Sequence, residues 1–343
     1  MTVASGHLVG REDELQAVLG LLETPGLLPG TVALAGEAGI GKTTVWLAAL
    51  ASAQELDYRV LSSRPAEAET GFSFAGLTDL LGDAVGEALP ELPAPQRRAL
   101  EAALLLADAD EQGADERSVA LAFLNTLRAL ARARPLVVGV DDVQWLDPPS
   151  SAVVRFALTR LRDEPVAALF ACRGVVPEWL RRASSERLLE VDVGPLSVGA
   201  LYELFRTRLD RIFARPTLLR LWETSGGNPF FALELARALE RRGGRVEPGE
   251  ELPIPRTLAE LLAERLDALT PQAADVARVV AALAEPTLDL VRAAAGTSAS
   301  TGVSDGVAAR VLDVDGDRIR FSHPLLASAV SARTPPDARR AVH

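Results

Sequence analysis

The octapeptide GEAGIGKT at residues 36–43 constrains the fold of this 343-residue chain more than any other feature. It fits the pattern G-x-x-x-x-G-K-[ST], and it stands between an apolar segment at residues 31–35 and a helical pattern at residues 43–56. In such a setting the loop wraps a phosphate with backbone N–H groups, and the helix N-terminus adds a favourable dipole. The motif therefore predicts a phosphate-binding loop (P-loop) that opens a βαβ unit, and the alternative is a glycine turn before a core helix.

Lys42, inside this motif, is the only lysine among the 36 basic residues of the chain. The bias toward arginine is typical of a coding preference, so the single exception is informative. A loop that encloses a phosphate closely needs a slim stem and a compact ammonium, which a guanidinium does not imitate. Lys42 is therefore predicted to contact the phosphates, and the adjacent Thr43 hydroxyl is predicted to hold Mg²⁺.

The run LVVGVDD at residues 136–142 predicts the second half of such a site. Its continuous apolar pattern is typical of a strand that is buried on both faces of a parallel sheet. Asp141 would orient Mg²⁺, and Asp142 would polarise the attacking water. Without the P-loop, the two aspartates would be read equally well as a helix cap or a solvated turn.

Arg173 ends the next apolar segment, at residues 166–172. Ligands of parallel sheets lie at the carboxyl ends of the strands, so its guanidinium is predicted to reach the γ-phosphate. The alternative is a surface arginine at a strand end. Asp147 is expected to cap the helix that begins at Pro148 and Pro149, and Trp145 is expected in the core or at a domain contact.

Five predicted strands alternate with helices up to Pro195. The predicted fold class is therefore α/β: a P-loop NTPase domain with a three-layer α/β/α parallel sheet at residues 1–195. Residues 196–252 predict a helical lid. Residues 253–343 predict a winged-helix-like domain, truncated at its C-terminal end, with a hairpin at residues 309–322 and a soft Gly/Ser/Thr stretch at residues 296–306.

Composition excludes several classes of function. The net charge of −11 argues against binding of this segment along a nucleic-acid backbone. The single cysteine, Cys172, lies in an apolar run and is expected to be a small buried hydrophobe rather than a metal ligand or nucleophile. No apolar run reaches the length of a membrane span and no signal peptide is visible, so a cytoplasmic protein without membrane contact is expected.

Several motifs occur together across nearly the whole chain: LVGREDEL from residue 8, GEAGIGKTT, DDVQWLD from residue 141, FACRG from residue 170, GGNPFF from residue 226 and FSHPLL from residue 321. In this order they resemble the N-terminal ATPase module of the large ATP-binding LuxR-family regulators. These regulators form the MalT-like branch of the STAND class of AAA-related NTPases. The two phosphate motifs are common to many NTPases, whereas the last two motifs and DDVQWLD point to this branch.

The resemblance implies the remaining site residues. Val9, Gly10 and Arg11 would lie beside the adenine, Pro229 would pack near the base, and His323 would approach the ADP phosphates. For His323 the alternative is a buried side chain satisfied by the backbone. The loop residues that the resemblance assigns to nucleotide binding are Gly36, Glu37, Ala38, Gly39, Ile40, Gly41, Lys42, Thr43 and Thr44.

The function that the resemblance implies is a switch between bound ADP and bound ATP, with Mg²⁺ as cofactor. Hydrolysis would be slow because Asp142 is shorter than the glutamate common at this position, and the ATP state would self-associate. DNA would be bound only through a helix-turn-helix that lies beyond this chain. The alternatives are a continuously cycling AAA-type motor, a sensory module fused to a nucleotide cyclase or kinase, and a scaffold with a vestigial P-loop.

Overall fold

The computed structural model describes residues 8–106, 115–184, 187–241, 263, 266–283, 285–296, 299–309, 311–321 and 324–334. The chain divides into two compact units. The first comprises Met1–Pro65 and Glu69–Glu240, and the second comprises Ala66–Ala68 and Arg241–His343. The first unit continues beyond residue 195, so the helices predicted as a lid belong to the same compact unit as the P-loop.

A five-stranded parallel sheet forms the centre of the first unit. Its strands are β1 (Gly30–Gly36), β2 (Arg59–Ser63), β3 (Leu136–Val140), β4 (Val166–Arg173) and β5 (Leu188–Asp192). They are arranged in the order β2-β3-β4-β1-β5. The predicted α/β fold with a parallel sheet is confirmed, and the P-loop follows a strand that has neighbours on both sides.

Helices cover both faces of this sheet. The helices of the first unit up to residue 184 are α1 (Glu12–Leu22), α2 (Lys42–Glu55), α3 (Ala75–Leu81), α4 (Val85–Ala88), α5 (Ala94–Ala103), α6 (Glu116–Ala133), α7 (Pro148–Leu158) and α8 (Glu178–Ser184). Val32 and Leu34 of β1 pack in one core with residues of α1 and α2. Ala33, between them, packs in a second core with residues of α6 and α7. Successive residues of a strand face opposite sides, so this alternation gives the predicted three layers.

Asp147 fastens α7 to α3. Its buried carboxylate accepts hydrogen bonds from the backbone N–H of Ser150 at 3.0 Å, of Phe74 at 2.9 Å and of Gly76 at 3.0 Å. The predicted helix cap is confirmed, and the same side chain also satisfies two amides at the start of α3. The loop that follows Asp142 is thereby held at a fixed distance from α3.

Three further helices complete the first unit: α9 (Val198–Leu209), α10 (Arg215–Ser225) and α11 (Pro229–Arg241). Gly226 and Gly227 link α10 to α11 in left-handed conformations, with φ of 59° and 73°. The Trp222 indole N–H donates to the carbonyl of Leu196 at 2.8 Å. This bond joins α10 to the segment that enters α9, so the region predicted as a lid is internally connected.

The described part of the second unit contains helices and one hairpin. Its elements are α12 (Pro271–Ala282), α13 (Leu288–Ala295), α14 (Ala299–Ala308), β6 (Leu312–Asp315), β7 (Arg318–Phe321) and α15 (Pro324–Arg333). The predicted antiparallel hairpin is confirmed, and Gly316 takes a positive φ of 64° in its turn. Residues 242–262, which join the predicted lid to the predicted winged-helix-like domain, lie outside the described residues.

The expectation of a soft segment at residues 296–306 is wrong, because α14 occupies most of it. The small residues there serve close packing. A Cβ at Gly302 would stand 2.4 Å from the Gln272 carbonyl oxygen, and one at Gly306 would stand 2.7 Å from a methyl carbon of Leu312. Tertiary contact therefore outweighs the low helix propensity of glycine at these positions.

Two composition-based expectations have structural outcomes. Cys172 is 1% exposed in β4, and burial raises the pKa of its thiol to about 12, as expected for an inert core cysteine. Among the residues that the structure describes, no helix has both the length and the hydrophobicity needed to cross a bilayer.

Candidate functional site

The P-loop connects the end of β1 to the start of α2. Gly39 and Gly41 have φ values of 76° and 109°, a region in which a side chain is strained. The loop therefore turns back above α2, and Lys42 begins the helix. Free N–H groups at a helix start, preceded by a turn of glycines, form a cradle that suits a phosphate group.

Lys42 lies deep in this cradle with only 6% of its surface exposed. Its ammonium donates to the carbonyl oxygens of Gly36 at 3.0 Å and Glu37 at 2.7 Å. Burial lowers the pKa of Lys42, and the neighbouring Asp142 and Asp141 carboxylates oppose that shift. The ammonium is thus held to the loop by hydrogen bonds and attracted by the two aspartates at the carboxyl end of β3.

Thr43 and Asp141 meet directly. The Thr43 hydroxyl donates to the two carboxylate oxygens of Asp141, at 3.2 Å and 3.0 Å. Asp141 is 3% exposed, and burial raises the pKa of its carboxyl group, whereas Arg64 opposes the rise. A hydroxyl and a carboxylate are hard oxygen ligands of the kind that Mg²⁺ prefers.

The described ranges contain no cluster of three or more His, Cys, Asp and Glu side chains that would enclose a metal ion. Mg²⁺ in NTPase sites is typically held by one or two protein groups together with phosphates and water, rather than by a cage of side chains. Thr43 and Asp141 fit this sparse type of site.

Asp142 is engaged by Arg173. The guanidinium of Arg173 donates from Nε to Asp142 Oδ1 at 3.2 Å and from an Nη atom to Oδ2 at 3.4 Å. Gln144 adds a 2.8 Å hydrogen bond to Oδ1, and its own carbonyl oxygen accepts from the Arg173 backbone N–H. Both carboxylate oxygens of Asp142 therefore have donors.

Trp145 lies on the other side of the same guanidinium. The Arg173 guanidinium carbon is 5.3 Å from the ring centroid of the half-buried Trp145, within cation–π range. Trp145 therefore contacts the site rather than the centre of the core, and the expectation for it is refined accordingly.

Arg64 was not identified from the sequence. It follows β2 directly, and its Nε lies 3.4 Å from Asp141 Oδ2. Ser63 is paired with Val140 in the sheet register, so the residues after these two strands stand side by side. The rule that singled out Arg173 at the end of β4 also applies to Arg64 at the end of β2, but only the strand order makes them the two flanks of β3.

Arg11 supports the loop from below. It is 4% exposed and donates to the Ile40 carbonyl at 2.7 Å and to the Glu14 carboxylate at 2.8 Å. A Cβ at Gly10 would stand 2.5 Å from Cβ of Ala200, so the chain passes very close to α9 here. The guanidinium of Arg11 is thus committed to the backbone of the P-loop.

A cleft of about 490 Å³ opens beside this segment. Gly10, Arg11, Pro195 and Ala200 are among its lining residues. Val9 lines a neighbouring cleft of about 420 Å³ that also includes Ala200. The structure therefore brings the three predicted adenine-side residues together beside α9.

The start of α11 lies on the P-loop. Pro229 Cγ is 3.9 Å from the point where a Cβ on Gly41 would stand, so it contacts the loop that resemblance assigns to the nucleotide. The Asn228 side-chain amide, which the sequence analysis did not single out, donates to the Ala38 carbonyl at 3.0 Å. His323 lies outside the described residues, and so its predicted role stays a prediction.

Residues 7–170 match the sequence model of the AAA ATPase domain. The match supports an AAA-type P-loop ATPase module in this part of the chain. The match includes the loop and both aspartates after β3 but ends before Arg173 and the helices predicted as a lid. Nucleotide binding is implied by this domain type, while the roles of the later residues rest on their geometry.

Two further comparisons concern relatives of this chain. An uncharacterized protein of Rhizobium meliloti (strain 1021) is 32% identical over 133 residues, which are 37% of this chain and 12% of that protein. A STAND protein with a tetratricopeptide repeat sensor from Pyrococcus horikoshii matches with a TM-score of 0.59 at 15% identity, over 97% of this chain and 44% of that chain. This chain therefore spans only a minor part of either protein.

The walker-type ATPase of Pyrococcus abyssi also aligns, with a TM-score of 0.47 and 15% identity over 95% of this chain and 97% of that one. At such low identities, the Pyrococcus horikoshii match shows the fold alone. That fold is a P-loop NTPase fold, in agreement with the observed sheet and its glycine-rich loop.

Proposed function

We propose that this chain is a STAND-type nucleotide switch, an ATPase module that binds ADP or ATP with Mg²⁺ and hydrolyses ATP slowly. The observation that carries the proposal is that a complete phosphate-binding loop occurs together with an Asp142 carboxylate that is already hydrogen-bonded to Arg173 and Gln144. Lys42, Thr43 and Asp141 converge as a nucleotide site requires, whereas Arg173 and Gln144 hold both oxygens of the candidate base. Because the Arg173–Asp142 pair must be broken before Asp142 can act on water, the proposal includes an added step that slows hydrolysis.

Each residue has a role in the proposal. Lys42 contacts the phosphates, and the backbone of the P-loop wraps them. Thr43 and Asp141 hold Mg²⁺, which supplies positive charge to the phosphate oxygens when it is bound. Asp142 orients the attacking water once it is released, and Arg173 is the cation that would exchange Asp142 for the γ-phosphate.

The proposed lid and second unit would respond to the nucleotide. Val9, Gly10, Arg11 and Pro229 would enclose the base, and His323 would approach the ADP phosphates in the closed state. Replacement of ADP by ATP would change the relative stability of closed and open states, because a ligand shifts an equilibrium only by its differential affinity. The open state would then self-associate.

In the proposal the module belongs to a LuxR-family, MalT-like transcriptional regulator in the cytoplasm. The motifs DDVQWLD, GGNPFF and FSHPLL support this context. The repeats that sense an inducer and the helix-turn-helix that binds DNA would be supplied by other parts of the regulator. The acidic net charge of −11 supports a division in which this segment leaves DNA contact to them.

Two measurements test the proposal. The purified protein is denatured and the released nucleotide is identified by chromatography, and binding of ADP and ATP is measured by calorimetry with and without Mg²⁺. We expect bound ADP and a hydrolysis rate well below roughly 1 s⁻¹, the lower end of common enzyme turnover. Absence of binding to either nucleotide at millimolar concentration would refute the nucleotide site.

Fast multiple-turnover hydrolysis would favour a cycling motor over a switch. The matched variant is Asp142→Asn, which keeps the size of the side chain and removes its charge. In a motor this change abolishes rapid turnover, whereas in a switch it leaves ADP affinity unchanged and alters an already slow rate.

A further inference from the structure

The lid helix α11 is tied to the tip of the P-loop by two hydrogen bonds. The side-chain amide of Asn228, which is only 2% exposed, donates to the Ala38 carbonyl at 3.0 Å. The backbone N–H of Phe230 donates to the Gly39 carbonyl at 3.3 Å. Two consecutive carbonyls of the phosphate loop are therefore bonded to the start of one helix, almost 200 residues away in sequence.

The contact at this point is close as well as hydrogen-bonded. A Cβ on Gly39 would stand 2.7 Å from Cβ of Phe230 and 3.2 Å from Oδ1 of Asn228. The loop needs glycine at residue 39 for its positive φ, and the lid needs it for space. Because the two segments are in close contact, a movement of the loop by a few tenths of an ångström would also displace the start of α11.

Asn228 uses both ends of its amide. Its Oδ1 accepts from the backbone N–H of Phe230 at 3.1 Å and of Phe231 at 3.5 Å, which makes it the N-cap of α11. Because the amide is planar, an oxygen that caps the helix aims the NH₂ group at the loop. The helix therefore sets the orientation of the Asn228 side chain, and this orientation directs its NH₂ group to the Ala38 carbonyl.

We propose that Asn228 is a positioning residue that couples the P-loop to the lid and thereby slows the release of bound nucleotide. The inference rests on the proposed function. Its physical basis is that loop carbonyls and loop amides belong to the same peptide planes: fixing the Ala38 and Gly39 carbonyls fixes the direction of amides in the loop. A nucleotide that needs those amides leaves more readily when the loop relaxes.

Three variants separate the coupling from the helix cap. Asn228→Ser and Asn228→Asp both keep an acceptor that caps α11. Ionised aspartate has no donor, and the serine hydroxyl is one atom shorter than the amide NH₂ that donates to Ala38. The serine variant adds no charge, and the aspartate variant leaves no cavity, so an effect common to both comes from the lost donor. Asn228→Ala loses the donor and the cap together. Asp115→Ala, which removes the cap of α6 and lies in neither the loop nor the two clefts, is the control.

The experiment measures two quantities on the whole 343-residue chain: the rate at which a fluorescent ADP analogue is displaced by excess ADP in stopped flow, and the melting temperature. We expect all three Asn228 variants to release the analogue about 3- to 10-fold faster, because each loses one hydrogen bond. A marked fall in melting temperature is expected only for Asn228→Ala and Asp115→Ala, and Asp115→Ala should release the analogue at the native rate.

The outcomes distinguish this inference from the proposed function. If the unaltered protein binds the analogue but Asn228→Ser and Asn228→Asp release it at the native rate, the coupling is refuted while the nucleotide site stands. A faster release only in Asn228→Ala would reduce Asn228 to a helix cap and would equally refute the coupling. If the unaltered protein binds no nucleotide, the proposed function fails and the inference fails with it.

Discussion

Replacing Lys42 by arginine is predicted to abolish tight nucleotide binding although it preserves the charge. Lys42 is 6% exposed, and its ammonium lies within 3.0 Å of two loop carbonyls. A guanidinium is wider and planar and carries its donors on a fork, so it does not fit between those carbonyls without opening the loop. The chain uses arginine at its other 35 basic positions, which makes the exchange a stringent test.

The magnitude follows from the contact that is lost. A hydrogen bond between an ammonium and a phosphate oxygen is worth about 1.5–3 kcal/mol, which corresponds to roughly 10- to 150-fold in affinity. Lys42→Met removes the charge and keeps the length of the stem, and we expect the full loss from it. Lys42→Arg should lose at least the lower part of this range, because the misplaced loop amides weaken the remaining contacts.

Calorimetric titration with ADP and with ATP in the presence of Mg²⁺ measures the effect, and thermal melting shows that the variants are folded. Arg182→Lys is the matched control, since Arg182 lies on the exposed side of α8 and forms a local ion pair with Glu178. Its affinity should equal that of the native protein. An Lys42→Arg variant that binds both nucleotides within about 3-fold of the native protein would refute the steric reasoning, since 3-fold is less than one hydrogen bond.

Three further predictions concern Asp141, Asp147 and Arg64, which follow strands of the central sheet. Asp141→Asn removes a buried carboxylate whose pKa is raised, so at neutral pH the variant should melt no lower than the native protein. Acidification through the raised pKa protonates Asp141 in the native protein and removes the unfavourable burial of its charge. The difference in melting temperature between the variant and the native protein should therefore narrow as the pH falls, and a difference that widens would contradict this. Asp147→Ala should lower the free energy of unfolding in urea by about 2–4 kcal/mol, since three buried backbone N–H groups lose their acceptor; a loss below about 1 kcal/mol would contradict the role of the cap. Arg64→Met should cost about 1 kcal/mol, and almost nothing when Asp141 is already asparagine; additive costs in this double-mutant cycle would refute the ion pair.

The central sheet and the P-loop could be predicted because their signals are local. The apolar run before the two aspartates predicted β3, and the glycine pattern between a strand and a helix predicted the turn into α2. The same is true of Asp147, whose position before two prolines is a local helix-start signal. In each case a few adjacent residues determine the structure.

Arg64 and Asn228 could not be assigned in this way. The pairing of Arg64 with Asp141 depends on β2 lying next to β3, and strand order is a property of the whole sheet. The Asn-Pro dipeptide at residues 228–229 indicates a helix start, but nothing near it indicates the Ala38 carbonyl. The helix at Ala299–Ala308 was missed for a related reason, because Gly302 is favourable only with α12 packed against it and Gly306 only with Leu312 of β6 packed against it.

The two aspartates after β3 are each matched by an arginine from a neighbouring strand, Arg64 from β2 and Arg173 from β4. A phosphate that binds either guanidinium must displace a carboxylate from it. Anion binding at the carboxyl end of the sheet would therefore be an exchange of one anion for another rather than the filling of an empty site. The favourable energy of a new arginine–phosphate contact is then offset by that of the pair it replaces. Under the proposed function, the carboxylate would be released as the phosphate is bound, and the arrival of the substrate would itself free the candidate base.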